Sequence, residues 1–117
     1  MSDMIEKLFD SIDNKNPEAF VSFLSPGCTF KFGNLPAVTG TEQIRDFVSG
    51  FFDSIASLSH TIKDSWNVED GVICHGDVSY TRKDGSVLTV PFANILKSDS
   101  GGIADYMIFA DTSQLYS

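Results

Sequence analysis

The chain has 117 residues, 42% of them hydrophobic, and a formal net charge of −8 at pH 7. This length and composition fit one domain over residues 1–117 and exclude a largely disordered chain. The acidic balance argues against nucleic acid, which needs clustered lysines and arginines. No apolar stretch approaches the roughly 20 residues of a membrane span, and the N-terminus has no signal-peptide core. We therefore expect no membrane association and a cytoplasmic location.

Helical spacing dominates the first half of the chain. Residues 3–13 carry apolar side chains every three or four positions, which predicts an amphipathic helix. Asn16 before Pro17 predicts the start of a second helix, because asparagine caps helices and proline suits their first turn. A broad apolar stripe from Thr41 to Ile55 predicts a third helix against the core, with Thr41 as its N-cap.

Strand patterns dominate the second half. Pro91 falls inside one of them and predicts an edge position or a bulge there. The pattern predicts four strands in this half, at 59–69, 72–82, 86–97 and 103–111, and a fifth in the first half, at 28–32. Early helices and late strands predict an α+β domain, in which about three helices cover one face of a curved antiparallel sheet. A cavity between the two layers is the expected place for a ligand.

The sequence contains no motif that indicates a metal site or a cofactor site. Cys28 and Cys74 lie far apart and outside any ligand or redox motif, so we expect buried, reduced thiols. No three histidine, cysteine or acidic residues have a metal-site spacing, and no glycine-rich phosphate loop occurs. We expect neither a metal nor a cofactor.

Two acidic positions and one histidine are the catalytic candidates. His75 and Asp77 are two apart on a predicted strand, so they share a face and could form an acid/base pair. The apolar alternation of that strand equally allows both to face water or a dimer partner. Asp64 shares a predicted register with Ile62 and Trp66; a carboxylate buried there would have a raised pKa and act as a base. Near a strand end it would instead reach solvent.

Polar and aromatic residues on the strands are the ligand-binding candidates. Asn94 lies in an apolar register, where a buried amide orients a ligand or satisfies nearby backbone. Tyr106 suits a pocket wall or a dimer face, and Trp66 suits a pocket wall or the core. Phe32 is one of ten phenylalanines that fill a core or line a pocket. We interpret His60 only as the start of a strand.

The order of elements resembles the nuclear transport factor 2-like superfamily, which includes SnoaL-like polyketide cyclases, ketosteroid isomerases and limonene epoxide hydrolases. The resemblance rests on the phrases FLSPGCTFKFGN, TGTEQIRDFVSGFF, GDVSYTRKDGSVLTVPFAN and GGIADYMIFAD, and SnoaL-like proteins are the subgroup it resembles most. The resemblance implies a cone-shaped fold that binds an apolar small molecule, often as a homodimer joined through the outer sheet face.

Some positions match functional positions of these relatives. The segment FGNLPAVTG resembles the one whose asparagine holds the attacking water in limonene epoxide hydrolases, and this implies that role for Asn34. CHGDV resembles the strand that supplies an arginine and an aspartate there, here His75 and Asp77. The third catalytic position falls at Ile108. Since the arginine is replaced and one aspartate is absent, that mechanism does not carry over whole. In SnoaL-like cyclases the base lies near the final strand, where Asp105 stands.

The sequence is compatible with two functions. One is binding of an apolar small molecule with a cofactor-free acid/base step, such as cyclisation, isomerisation or hydration. The other is a non-catalytic dimeric binder or interaction module. Catalytic candidates are Asp64, His75 and Asp77. Ligand-binding candidates are Phe32, Asn34, Trp66, Asn94, Tyr106 and Ile108.

Overall fold

A computed structural model describes residues 2–115, with side chains from residue 4 onward. It confirms the α+β class. The helices are α1 (Ser2–Asp13), α2 (Pro17–Val21) and α3 (Thr41–Asp53), and the strands are β1 (Leu24–Phe32), β2 (Val38–Thr39), β3 (Ser57–Val68), β4 (Gly71–Thr81), β5 (Val87–Asp99) and β6 (Gly102–Ala110). Within this range no helix has the length and apolar character that crossing a membrane requires.

The strands form one curved, open sheet in the order β2-β1-β6-β5-β4-β3. Strands β3 to β6 form the predicted antiparallel meander. The last strand then pairs with β1 in parallel, so the prediction of an antiparallel sheet is wrong for this one pair. Buried apolar side chains of the helices and of the concave sheet face pack into a single core.

The helix starts follow local chemistry. The Asn16 side chain accepts a hydrogen bond from the backbone N–H of Ala19 at 3.1 Å, and Pro17 stands in the first turn, as predicted for α2. For α3 the predicted cap is wrong by one residue. The N-cap is Gly40, whose φ of 95° lies in the region that favours glycine, and no side chain caps this helix.

A β-bulge interrupts the pairing of β3 with β4. Ile62 lies opposite Gly76, whereas Asp64 lies opposite His75, so Lys63 is an extra residue on β3. Side chains alternate between faces along a strand, and one inserted residue reverses that alternation for everything that follows. The bulge therefore divides β3 into two halves with opposite patterns.

This bulge contradicts the predicted common face of Ile62, Asp64 and Trp66. Ile62 packs against the core, as its pattern predicts. Asp64 and Trp66 lie beyond the extra residue and project from the convex face, where Trp66 is 51% exposed. The period-two pattern predicts the strand correctly and gives the wrong face for its second half, because a bulge leaves no strong signal in the sequence.

Pro91 lies on β5, an internal strand of the sheet, at a point that the neighbouring β6 does not reach, so it has a strand on one side only. Its pairing with Asp77 on β4 is regular. The pairing of β5 with β6 begins only at Phe92, which lies opposite Ala110. Pro91 is tolerated because β6 places no residue opposite it and therefore needs no N–H donor there.

Gly76 should be intolerant of any side chain. A Cβ at this position would lie 1.8 Å from the carbonyl oxygen of Thr61, next to the bulge. We expect Gly76→Ala to lower the free energy of unfolding by at least about 2 kcal/mol, because backbone would have to move. Gly27→Ala is the control: its Cβ would meet nothing within 4 Å, and a change within about 0.5 kcal/mol is expected. Equal urea midpoints for the two variants would contradict this account.

Candidate functional site

A narrow cavity lies between the helices and the concave face of the sheet. Eight of the ten phenylalanines line it, together with Tyr80 and Tyr106. The volume within which the centre of a water molecule can move is about 40 Å³. This is room for about three waters. In this conformation the aromatic rings nearly fill the space, so a larger molecule must displace some of them.

Four of the predicted ligand-binding residues line this cavity: Phe32, Asn94, Tyr106 and Ile108. The grounds for predicting them differed: an apolar register for Asn94, aromatic character for Phe32 and Tyr106, and the family resemblance for Ile108. Their location follows from regular pairing of these strands near the cavity. Their role in binding stays a prediction.

Two buried polar atoms in the cavity wall have no hydrogen-bond partner within the described range, namely Asn94 Oδ1 and the Tyr106 hydroxyl oxygen. Asn94 is 2% exposed and Tyr106 is fully buried. Leaving a buried polar atom unpaired costs about 1–3 kcal/mol, so such atoms are rare and call for an explanation. Burial raises the pKa of Tyr106 well above its usual range, so the hydroxyl keeps its proton.

The second polar feature of the wall is a histidine–carboxylate pair that joins α1 to β3. Asp13 Oδ1 lies 2.6 Å from His60 Nδ1, and Asp13 Oδ2 accepts the backbone N–H of His60 at 3.0 Å. The His60 ring packs between Phe9 and Phe92, with centroid distances of 4.8 and 5.2 Å. Carboxylate and rings together fix the orientation of an imidazole that lines the cavity.

The second nitrogen of His60 is available for chemistry. Nε2 makes no hydrogen bond to any residue between 2 and 115. In the neutral tautomer that donates Nδ1–H to Asp13, Nε2 carries the lone pair and can accept a proton. A carboxylate-oriented imidazole of this kind is a competent general base.

Sequence reasoning missed this pair. From the sequence, Asp13 is only the last residue of the first predicted helix. His60 is interpreted only as the start of a strand. The two are 47 residues apart, and nothing local links them. The available signal was the position of His60 two residues before Ile62, on the inward side of β3 ahead of the bulge.

The three predicted catalytic residues lie on the convex face, away from the cavity. His75 Nε2 is 3.0 Å from Asp64 Oδ2, and the Trp66 indole stacks on the His75 ring at 5.5 Å. Asp77 pairs with Lys63 at 3.1 Å. These side chains are 37–61% exposed. Of the two alternatives for His75 and Asp77, the outer face is the observed one.

Asn34 also lies outside the cavity. It is exposed in the loop between β1 and β2, beside a broad open hollow that includes Phe109 and Asp111. Asp105 precedes the inward-facing Tyr106 on β6, and strand alternation therefore turns it to the convex face. Neither residue meets the His60 imidazole.

Both cysteines are free and buried, as predicted. Burial raises the pKa of the Cys74 thiol from an ordinary 9.0 to about 11. Burial, and then the nearby Asp105 and Asp99 charges, raise the pKa of Cys28 to the same value. Both thiols are protonated at neutral pH and are poor nucleophiles. Within the described chain no group of three histidine, cysteine or acidic residues could hold a metal ion.

The raised thiol pKa values predict a loss of stability in alkali. The folded state holds these protons more tightly than the unfolded state, so their contribution is complete below pH 9 and is lost between about pH 9 and 11. We expect the free energy of unfolding, measured in urea from pH 8 to pH 11, to fall less steeply in a Cys28→Ala/Cys74→Ala variant. Identical slopes for wild type and variant would contradict the assignment.

The helices over a curved sheet, with an aromatic cavity between the two layers, define a nuclear transport factor 2-like fold. More narrowly, the chain belongs to the SnoaL-like domain family, whose sequence model matches residues 5–106. No curated protein matches the sequence.

Solved structures agree on this fold. A proposed SnoaL-like polyketide cyclase from Jannaschia sp. CCS1 superposes with a TM-score of 0.83 at 17% identity, covering 98% of this chain and 88% of that one. A nuclear transport factor 2-like protein from Burkholderia pseudomallei K96243 gives 0.87 at 12%, covering 97% and 92%. TerC, co-crystallized with polyporic acid, gives 0.82 at 15%, covering 97% and 93%. At these identities the likeness shows the fold alone.

Proposed function

We propose that the protein binds a small apolar ring compound in its cavity and carries out a cofactor-free acid/base step on it. The observation that carries this proposal is the His60–Asp13 pair in the wall of an aromatic cavity. Apolar walls with a few placed polar groups are the usual character of a small-molecule site. Solved structures of the same fold support the ligand class, since one is a proposed polyketide cyclase and another was crystallized with polyporic acid.

His60 acts as the general base in this mechanism. Nε2 takes a proton from the substrate, and Asp13 stabilises the imidazolium that forms. The same nitrogen then returns the proton to another substrate atom. Removal and return of one proton suffices for an isomerisation, a cyclisation or an elimination of water. General acid–base catalysis of this kind contributes a rate factor of about 10² to 10⁴.

Substrate access requires movement of the helical cover. Phe47 and Phe51 of α3 line the cavity and are only partly buried. Rotation of these two rings toward solvent would enlarge the space without disturbing the fully buried core. The small volume also favours a second candidate, a non-catalytic member of the fold whose own rings occupy its cone.

A proton-exchange assay tests the base directly. Exchange of the α-hydrogens of 2-tetralone with deuterium is followed by NMR, with wild type, His60→Gln and His75→Gln. We expect His60→Gln to lower the enzymatic exchange rate about 100-fold or more. His75→Gln should match wild type, because His75 lies on the convex face. Thermal denaturation of each variant checks that it is folded.

Two results would count against the proposal. If wild type exchanges no faster than buffer across a panel of cyclic ketones that it binds, the non-catalytic candidate is favoured. If both histidine variants lose activity equally while remaining folded, the assignment of the base to the cavity is wrong.

We also propose that the protein is a homodimer joined through the convex face. Strand pairing aligns four apolar side chains in one row across β3 to β6, namely Trp66, Ile73, Ile95 and Met107. Phe109, in the next row, is 54% exposed. A continuous apolar row on a sheet surface is unusual for a face that contacts only water.

Sedimentation equilibrium tests this association. We expect wild type to sediment as a dimer and Trp66→Glu to weaken association at least 10-fold, because a charge would be buried in the contact. Val87→Glu is the matched control, since Val87 is 58% exposed but lies eight residues from Ile95 along β5. A wild type that remains monomeric at high concentration would rule the dimer out.

A further inference from the structure

The unpaired atoms of Asn94 and Tyr106 are neighbours on the concave face. Asn94 lies opposite Ile108, and Tyr106 is two residues before Ile108 on β6. Side chains related in this way are diagonal neighbours, about 7–8 Å apart at their Cα atoms. Both line the cavity, and both are more than nine-tenths buried. Two polar side chains on the same part of the concave face therefore each keep a buried atom without a partner in the described chain.

The two atoms differ in the hydrogen bonds that they can make with a ligand. Tyr106 offers an O–H donor, and Asn94 Oδ1 offers an acceptor. A hydroxyl group satisfies both at once, because it accepts from Tyr106 and donates to Asn94. An ether accepts only, and a hydrocarbon does neither. A ligand hydroxyl can therefore take the place of a water molecule, which also donates and accepts and for which the cavity has room.

This polar position is separate from the histidine. His60 lies in the row of Val78 and Val90, and Asn94 is four residues beyond Val90 on β5, about 13 Å along the strand. Phe92 lies between them and contacts the His60 ring. The cavity therefore has a basic end and a hydroxyl-pairing end, joined by aromatic walls.

We infer that Asn94 and Tyr106 form a hydroxyl-binding subsite, which selects ring compounds bearing a phenolic, enolic or alicyclic hydroxyl and holds that hydroxyl away from His60. The inference rests on the proposed function in one respect, that the cavity admits a ring. It adds the substrate class and the orientation in which the substrate lies.

Three ring probes of similar size test the subsite: phenol, anisole and benzene. Affinities are measured by NMR titration of the amide signals of wild type, Tyr106→Phe, Asn94→Leu and His60→Gln. We expect wild type to bind phenol about 10-fold more tightly than benzene or anisole. Tyr106→Phe and Asn94→Leu should reduce this preference to about threefold or less. His60→Gln should keep it, which separates the subsite from the base.

Tyr106→Phe is the primary variant, because it removes one atom that has no partner to lose. Its thermal midpoint should not fall below that of wild type, so the test survives even if Asn94→Leu fails to fold. Equal affinities of wild type for the three probes would overturn the subsite and leave the proposed function standing. A phenol preference that persists in Tyr106→Phe would also overturn it. Failure of wild type to bind any ring compound, larger ones included, would overturn both.

Discussion

The whole structure depends on covering an aromatic concave sheet face with helices. Most of the aromatic rings that are buried in the core also line the cavity. The stability of the fold and the space for a ligand therefore depend on the same side chains. Burying one large apolar side chain stabilises the folded state by about 1.5–3 kcal/mol. Opening the cavity exposes some of these side chains and loses part of that stabilisation. Ligand binding must then offset the loss by burying its own apolar surface in the same place.

The Asp13–His60 contact joins the helical cover to the sheet where chemistry is proposed. Asp13 ends α1, and its carboxylate bonds both the ring and the backbone of a residue on β3. At the other side of the cone, Phe47 and Phe51 of α3 remain partly exposed. The site therefore combines a fixed wall that orients the base with a softer wall through which a substrate can pass. Such a division lets the imidazole stay preorganised while the cavity changes volume.

The sequence predicts features that depend on regular periodicity and misses those that depend on breaks in it. The inward positions of Asn94 and Tyr106 follow from regular alternation over residues 92–97 of β5 and 105–110 of β6, clear of the register shift that comes after Lys97. Asp64 is predicted on the wrong face because the extra residue in β3 reverses the pattern. The His60–Asp13 pair escapes detection for a different reason: its partners meet only when α1 packs on the sheet. The sequence therefore predicts the fold and four residues of the cavity wall, whereas the proposed base is found only once the packing of α1 on the sheet is known.

The parallel pairing of β1 with β6 also orders events during folding. Phe30 and Tyr106 are partners in the sheet although most of the chain separates them, and closing so long a loop is entropically costly and slow. During synthesis β1 is made before β6. The edge of β1 that pairs with β6 therefore has no partner until β6 has been made. The part of the concave face that contains Tyr106 and Ile108 cannot form before β6 has been made. Without β6, one edge of β1 and one edge of β5 would lack a partner strand, and unpaired strand edges are templates for aggregation.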